Sequence, residues 1–198
     1  MNKYYIDLNF DIPLFLDTAI IDRIKNPETS YQSKNPSFVN RGQLTRSEFN
    51  PELIAWLEAK GLSHVASDFF YRTPWDVDQI HTDGLPRDVG KLNWIFGQDE
   101  QNSKMFWYSM KKDRPSQVGT TAFGTPWATF DEEDLIHEES AVIRGTPTLV
   151  NIGVPHTIKN GSLARLCITM HLRDHLTGEQ PTWARCIELF QSEISQQD

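Results

Sequence analysis

The chain has 198 residues, of which 38% are hydrophobic and 23% charged, with a formal net charge of −8. That length suits one domain with a sizeable core, and the acidic balance argues against a broad electrostatic grip on nucleic acid or on an anionic membrane. No apolar run reaches membrane-spanning length, and the amino terminus carries polar and acidic residues where a signal peptide needs an apolar stretch, so the sequence reads as cytoplasmic.

In chain order, residues 3 to 10 predict a strand, and Leu14 to Lys25 a loop leading into a short amphipathic helix. Residues 26 to 47 contain Asn26-Pro27, Asn35-Pro36 and many polar side chains, and read as a long loop of the kind that serves as a lid. The clearest helix follows. Asn50 can cap it, Pro51 suits its first turn, Leu53, Ile54, Trp56 and Leu57 form its apolar face, and Gly61 ends it.

From residue 62 to 173 the pattern changes to short β-like runs at 65–72, 78–83, 91–97, 104–110, 141–144, 148–151, 156–159 and 165–172. Eight such runs fit the two antiparallel sheets of a jelly roll. Between 111 and 140 lies a loop-rich insert, with Pro115, Gly119, Gly124 and Pro126, expected to fold over the mouth of the barrel. Trp183, Cys186, Ile187 and Phe190 recur at helical spacing and predict a closing helix over 181–190. The expected fold class is therefore mainly β with flanking helices around a jelly-roll core of about 65–173, within a single domain spanning 1–198. The two cysteines, Cys167 and Cys186, fit no paired-cysteine metal motif and read as buried reduced thiols.

The chemistry concentrates in Gln79-Ile80-His81-Thr82-Asp83-Gly84 and in Asn151-Ile-Gly-Val-Pro-His156. On a strand, positions i and i+2 share a face, so His81 and Asp83 can hold one metal ion together. His156 can complete the set. Two imidazoles and one carboxylate on one face of an octahedral ion leave the other face open, which suits non-haem Fe(II) oxygenases. The His-x-acid pattern is weak alone, since about 0.8 matches arise by chance in this composition. A second match, His137-x-Glu139, follows the acidic run Asp131 to Asp134 and reads as a solvated surface segment expected to stay away from any metal.

His81-x-Asp83, the distal His156 and Arg165 nine positions later resemble the 2-oxoglutarate- and Fe(II)-dependent oxygenase superfamily, built on a double-stranded β-helix. The resemblance covers roughly residues 65 to 173 and is one of motif order. It implies that His81, Asp83 and His156 bind Fe(II) as the catalytic metal, and that Arg165 takes the far carboxylate of 2-oxoglutarate. O₂ would be the second cosubstrate. Many members carry Ser or Thr two residues after that arginine, where this chain has Cys167. Another donor, Tyr108 or Thr169, is expected to assist. The primary substrate implied is a small molecule or an amino-acid side chain.

On their strand Arg165, Cys167, Thr169 and His171 share a face and can line one cavity. Asn93, Trp107 and Tyr108 read first as sheet-packing residues. His171 and His175 sit in a strand-like context that does not suit helical zinc-ligand spacing, and neither a Gly-x-Ser-x-Gly elbow nor a phosphate-binding loop is present. Two alternatives stay open. Gly153-x-x-His156-x-x-x-Asn160 also resembles half of the cupin metal motif, which implies a metalloenzyme that does not use 2-oxoglutarate. The other is a metal-free jelly-roll binding module with an aromatic ligand platform.

Overall fold

A computed structural model describes residues 2–26, 37–84, 88–97, 99, 101–111, 115–120, 126–143 and 146–194. Its strands are β1 (Tyr5–Asp7), β2 (Phe38–Leu44), β3 (Leu62–Arg72), β4 (His81–Asp83), β5 (Gly90–Phe96), β6 (Lys104–Met110), β7 (Gln117–Thr120), β8 (Pro126–Thr129), β9 (Leu135–Ala141), β10 (Thr148–Asn151), β11 (His156–Lys159) and β12 (Arg165–Asp174). The helices are α1 (Ala19–Lys25), α2 (Pro51–Ala59) and α3 (Trp183–Leu189).

The strands form two six-stranded antiparallel sheets, ordered β1-β10-β5-β12-β3-β2 and β7-β8-β4-β11-β6-β9. Core strands alternate between them except where β6 and β9 pair directly: β3, β5, β10 and β12 fall in the first sheet, and β4, β6, β9 and β11 in the second. This is the winding of a double-stranded β-helix, so the mainly-β jelly-roll fold with flanking helices is the one the chain adopts.

The first sheet has two contrasting faces. On β12 the residues Leu166, Ile168, Met170 and Leu172 point outward into a large apolar cluster with Leu53, Leu57, Trp183 and Phe190 from the helices. Asn50 starts α2 by accepting a hydrogen bond from the Glu52 backbone N–H at 3.0 Å, with Pro51 in the first turn as expected. Leu53, Ile54 and Leu57 then bury the apolar face, and each contributes about 2 kcal/mol. Thr182 caps α3 through the Arg185 N–H at 3.2 Å. At Gly90 on β5 an added Cβ would lie 2.7 Å from Cys186 Sγ, so α3 sits on the sheet only because that position lacks a side chain.

Two expected loops are corrected. Within 26–47, residues 38–44 form edge strand β2, paired with β3. Within 111–140, β7, β8 and most of β9 extend the second sheet. The run expected at 141–144 is displaced, because the strand is Leu135–Ala141. Of these, β2, β7 and β9 are polar or contain glycine and are edge strands with one side open to water, which weakens the hydrophobic alternation by which strands are read. Residues 27–36, 112–114 and 121–125, which belong to the expected lids, lie outside the described residues. Among the described residues no helix is long and apolar enough to cross a membrane.

His64 on β3 is buried against Phe49, at 5.1 Å between rings, and its Nε2 pairs with the Ser67 hydroxyl at 2.9 Å. Burial, aided by Arg46 and His171, pushes its pKa down from 6.5 to about 4. The unfolded chain then takes up a proton before the folded one does, so stability falls as pH drops through the window from 6.5 to about 4. Thermal melts over that window are expected to show the acid-side loss, and His64→Phe to flatten it by an amount on the order of 2 kcal/mol.

Candidate metal centre

In the second sheet β11 lies between β4 and β6, and His156 is the direct cross-strand partner of His81. Their ring centroids are 4.6 Å apart. Period-two geometry places Asp83 on the same face, and His81 Nε2 lies 3.6 Å from Asp83 Oδ1. One ligand atom from each of His81, Asp83 and His156 falls within 4.8 Å of the others, close enough to hold one metal ion.

The neighbours prepare the donors. His81 Nδ1–H donates to the Gln79 carbonyl at 2.7 Å, and His156 Nδ1–H donates to the Val154 carbonyl at 2.9 Å. These bonds fix the tautomer that leaves both Nε2 lone pairs free for a metal. On the carboxylate, Oδ2 accepts from Lys91 Nζ at 3.2 Å, which leaves Oδ1 facing the histidines. Gly84 follows at a φ of +105°, a turn that L side chains rarely adopt, and ends the ligand-bearing strand.

The electrostatics agree with that preparation. Desolvation pushes Asp83 up, but the Lys91 ammonium, with His81 and His156, outweighs it and holds the carboxyl well below its usual range. Burial, then the neighbouring His81, pushes His156 down from 6.5 to about 4, so its imidazole is neutral at pH 7 and able to bind a metal. Beside it, as its partner on β6, Trp107 is fully buried and stacks with Tyr4 and Tyr5 at 5.6 and 5.4 Å. The donor set and its orientation fit a divalent first-row metal with an open face.

A cavity of about 280 Å³ opens over these donors and reaches the first sheet, where Arg165, Cys167 and Thr169 line it. Arg165 is 4% exposed, and its Nη1 has no hydrogen-bond partner. Burial works against its charge, while the Cys167 thiol beside it is a weak acceptor. Beside it, Arg72 bonds Asp76 at 2.5 Å and also bonds Asp78. Both terminal nitrogens of Arg72 are thus occupied, whereas Arg165, whose charge Asp78 also favours, keeps an Nη1 without a partner.

Three expectations change at this site. His171 shares the face of Arg165 but does not line the cavity; it pairs with Asp68 at 2.8 Å. Tyr108 faces another cluster, edge-on to His137 at 5.7 Å, so it is not the assisting donor, whereas Asn93 lines the cavity rather than serving only in packing. His137 and Glu139 lie on edge strand β9 outside the convergent triad: His137 sits over Phe106 at 5.8 Å, and Glu139 accepts from Asn2 at 2.6 Å. Lys91, Arg72 and Asp78 were missed by sequence reasoning. For Lys91 the signal was charge at a strand position whose neighbours are apolar, as in Lys91-Leu-Asn-Trp-Ile.

No protein-family model matches the sequence, and no curated protein matches it. Among solved structures the chain is similar to an 11S globulin from Wrightia tinctoria, whose structure "reveals auxin binding site", at 9% identity and a TM-score of 0.37 over 76% of this chain. Procruciferin, an 11S globulin from Brassica napus, gives 8% identity and a TM-score of 0.36 over 76% of this chain. The chain spans 30% and 31% of the lengths of these globulins. An oxalate oxidase in complex with the substrate analogue glycolate gives 12% identity and a TM-score of 0.33, over 84% of this chain and 72% of the oxidase. The architecture described above rests on its own strand pairing.

The purified chain is expected to bind one equivalent of Co(II) or Zn(II) in calorimetric titration. Asp83→Ala and His156→Ala should each weaken binding by at least the roughly tenfold to hundredfold that losing a partner of a ligand costs. His137→Ala with Glu139→Ala should leave the isotherm unchanged. Equal binding by the ligand variants would remove the site.

Proposed function

We propose that the chain is a 2-oxoglutarate- and Fe(II)-dependent oxygenase, a hydroxylase acting on a small molecule or an amino-acid side chain. Its metal ligands are His81, Asp83 and His156, and Arg165 anchors the cosubstrate. The observation that carries this reading is the pairing, in one cavity, of a two-histidine, one-carboxylate donor set with a buried guanidinium whose Nη1 has no partner. A buried guanidinium nitrogen without a partner is costly, and a carboxylate arriving at that end would satisfy it with charge-assisted bonds.

Bound Fe(II) would supply O₂ activation, with one oxygen atom entering a substrate C–H bond and the other entering succinate as 2-oxoglutarate loses CO₂. The chain's own residues bind and orient. Arg165 fixes the far carboxylate of 2-oxoglutarate, so that its keto acid end points at the triad. Lys91 keeps one oxygen of Asp83 occupied and the other turned toward the histidines. Met105, Val150, Ile152 and Ile158 line the cavity with apolar surface that excludes water from the reacting carbon. A cupin-like metalloenzyme would use the triad but has no evident role for the open Arg165.

Anaerobic titration of the Fe(II)-loaded chain should show 2-oxoglutarate binding, and O₂ should trigger its decarboxylation to succinate. Arg165→Ala should weaken 2-oxoglutarate binding by about tenfold to a hundredfold, the worth of a hydrogen bond to a charged group, while metal affinity stays nearly unchanged. Metal binding without any 2-oxoglutarate dependence would leave the cupin-like reading in its place.

A further inference from the structure

The cavity has a second polar end. Thr129 and Thr169 are 5% and 4% exposed, and the hydroxyl of each is buried without a hydrogen-bond partner. The carboxamide oxygen of Asn93 is in the same condition, and all three residues line the cavity. They converge from opposite walls. Asn93 and Thr169 are direct cross-strand partners on β5 and β12 in the first sheet, while Thr129 on β8 is the direct partner of His81 in the second.

This end lies beside the triad and away from Arg165. Four residues of β12 separate Thr169 from Arg165, about 13 Å along the strand, so Thr169 is badly placed to assist at the far carboxylate. Asn93 shares a strand face with Lys91, whose Nζ holds Asp83. A group resting on Asn93, Thr169 and Thr129 therefore lies next to the ligand-bearing strand.

The donor and acceptor inventory narrows what that group is. A carboxamide oxygen only accepts, so Asn93 Oδ1 requires an N–H or O–H from its partner, which a carboxylate, ketone or ether does not provide. An ammonium carries N–H groups but needs a counter-charge. The local carboxylates are already committed: Asp76 and Asp78 to Arg72, and Asp83 to Lys91 and the triad. On the reading proposed above, the divalent metal with Arg165, Arg72 and Lys91 balances the 2-oxoglutarate dianion with Asp76, Asp78 and Asp83, so loading the site leaves no charge for the primary substrate to neutralise.

We infer that this end of the cavity is the primary-substrate subsite, and that it takes an uncharged N–H- or O–H-bearing group, an amide or an alcohol, held by the Thr129 and Thr169 hydroxyls and the Asn93 carboxamide. The inference rests on the proposed function for the identity of the other occupant only.

The test uses the full chain loaded with Zn(II), which supports no turnover, and saturated with 2-oxoglutarate. Three fragments of matched size are titrated by ligand-observed NMR: propionamide, propionate and propylammonium. Propionamide is expected to bind at least about tenfold more tightly than either ion. Thr129→Val and Thr169→Val should each weaken it by about threefold to tenfold, one net hydrogen bond, and Thr129→Ser and Thr169→Ser should restore it. Melting curves of the valine variants separate loss of binding from loss of fold.

Tighter binding of either ion, valine variants that bind as the parent does, or displacement of propionamide by 2-oxoglutarate would each overturn the subsite. Repeating the titration without 2-oxoglutarate separates the two readings. If propionamide still requires the threonines while 2-oxoglutarate neither binds nor is decarboxylated with Fe(II) and O₂, the oxygenase reading fails and the subsite stands.

Discussion

The antiparallel register that sets His156 opposite His81 is the constraint on which the rest of the site depends. Cross-strand partners in such a ladder have Cβ atoms about 5 Å apart, so the winding of the β-helix brings together two imidazoles far separated in sequence. The period of two then adds Asp83 at no further conformational cost. A one-residue slip of β11 would turn His156 to the other face and dissolve the group. Packing resists that slip: Trp107, the β6 partner of His156, is fixed by stacking on Tyr4 and Tyr5 from the amino-terminal segment.

The two faces of the first sheet divide stability from chemistry. Outward-facing Leu166, Ile168, Met170 and Leu172 of β12 meet α2 and α3 in the larger apolar cluster. Inward-facing Arg165 and Thr169 on the same strand are buried with atoms that find no partner. Alternation along one strand thus lets the outer face offset the cost of an under-satisfied inner face. A protein selected for stability alone would replace such inner groups with apolar ones, and sites retained for function are where that rule is broken.

Legibility in the sequence followed the same division. Central strands such as β5, β10 and β12 carry strong apolar patterns and were readable, as were the Asn50 cap of α2 and the spacing of α3. Edge strands β2, β7 and β9 carried glycine, charge and polar residues because one side faces water, and they read as loops. For the site, His81 and Asp83 were legible because their relation is local, and His156 because of its turn context. Lys91, Thr129 and Asn93 were not, since their places depend on which strands neighbour one another across two sheets. Thr129 sat inside a stretch that had no readable strand at all.

Arg165 shows how such long-range placement decides chemistry. Arg72 is its partner across β3 and β12, so two guanidiniums line one end of the cavity, and Arg72 raises the cost of the charge on Arg165. Asp76 and Asp78, on the segment leading to His81, occupy both terminal nitrogens of Arg72, while Arg165 keeps an Nη1 without a partner. That segment is tied down elsewhere too: Asn160 Nδ2 donates to the Thr73 carbonyl at 2.9 Å, and Thr157 Oγ1 donates to the Asp78 carbonyl at 2.6 Å. The ion pairs that choose which arginine stays free therefore also anchor the approach to the first histidine. The Arg72 ion pairs at one end of the cavity and the placement of His81 at the other are parts of one hydrogen-bonded unit, and the Cys167 thiol beside Arg165 is a weak acceptor that leaves Nη1 without a partner.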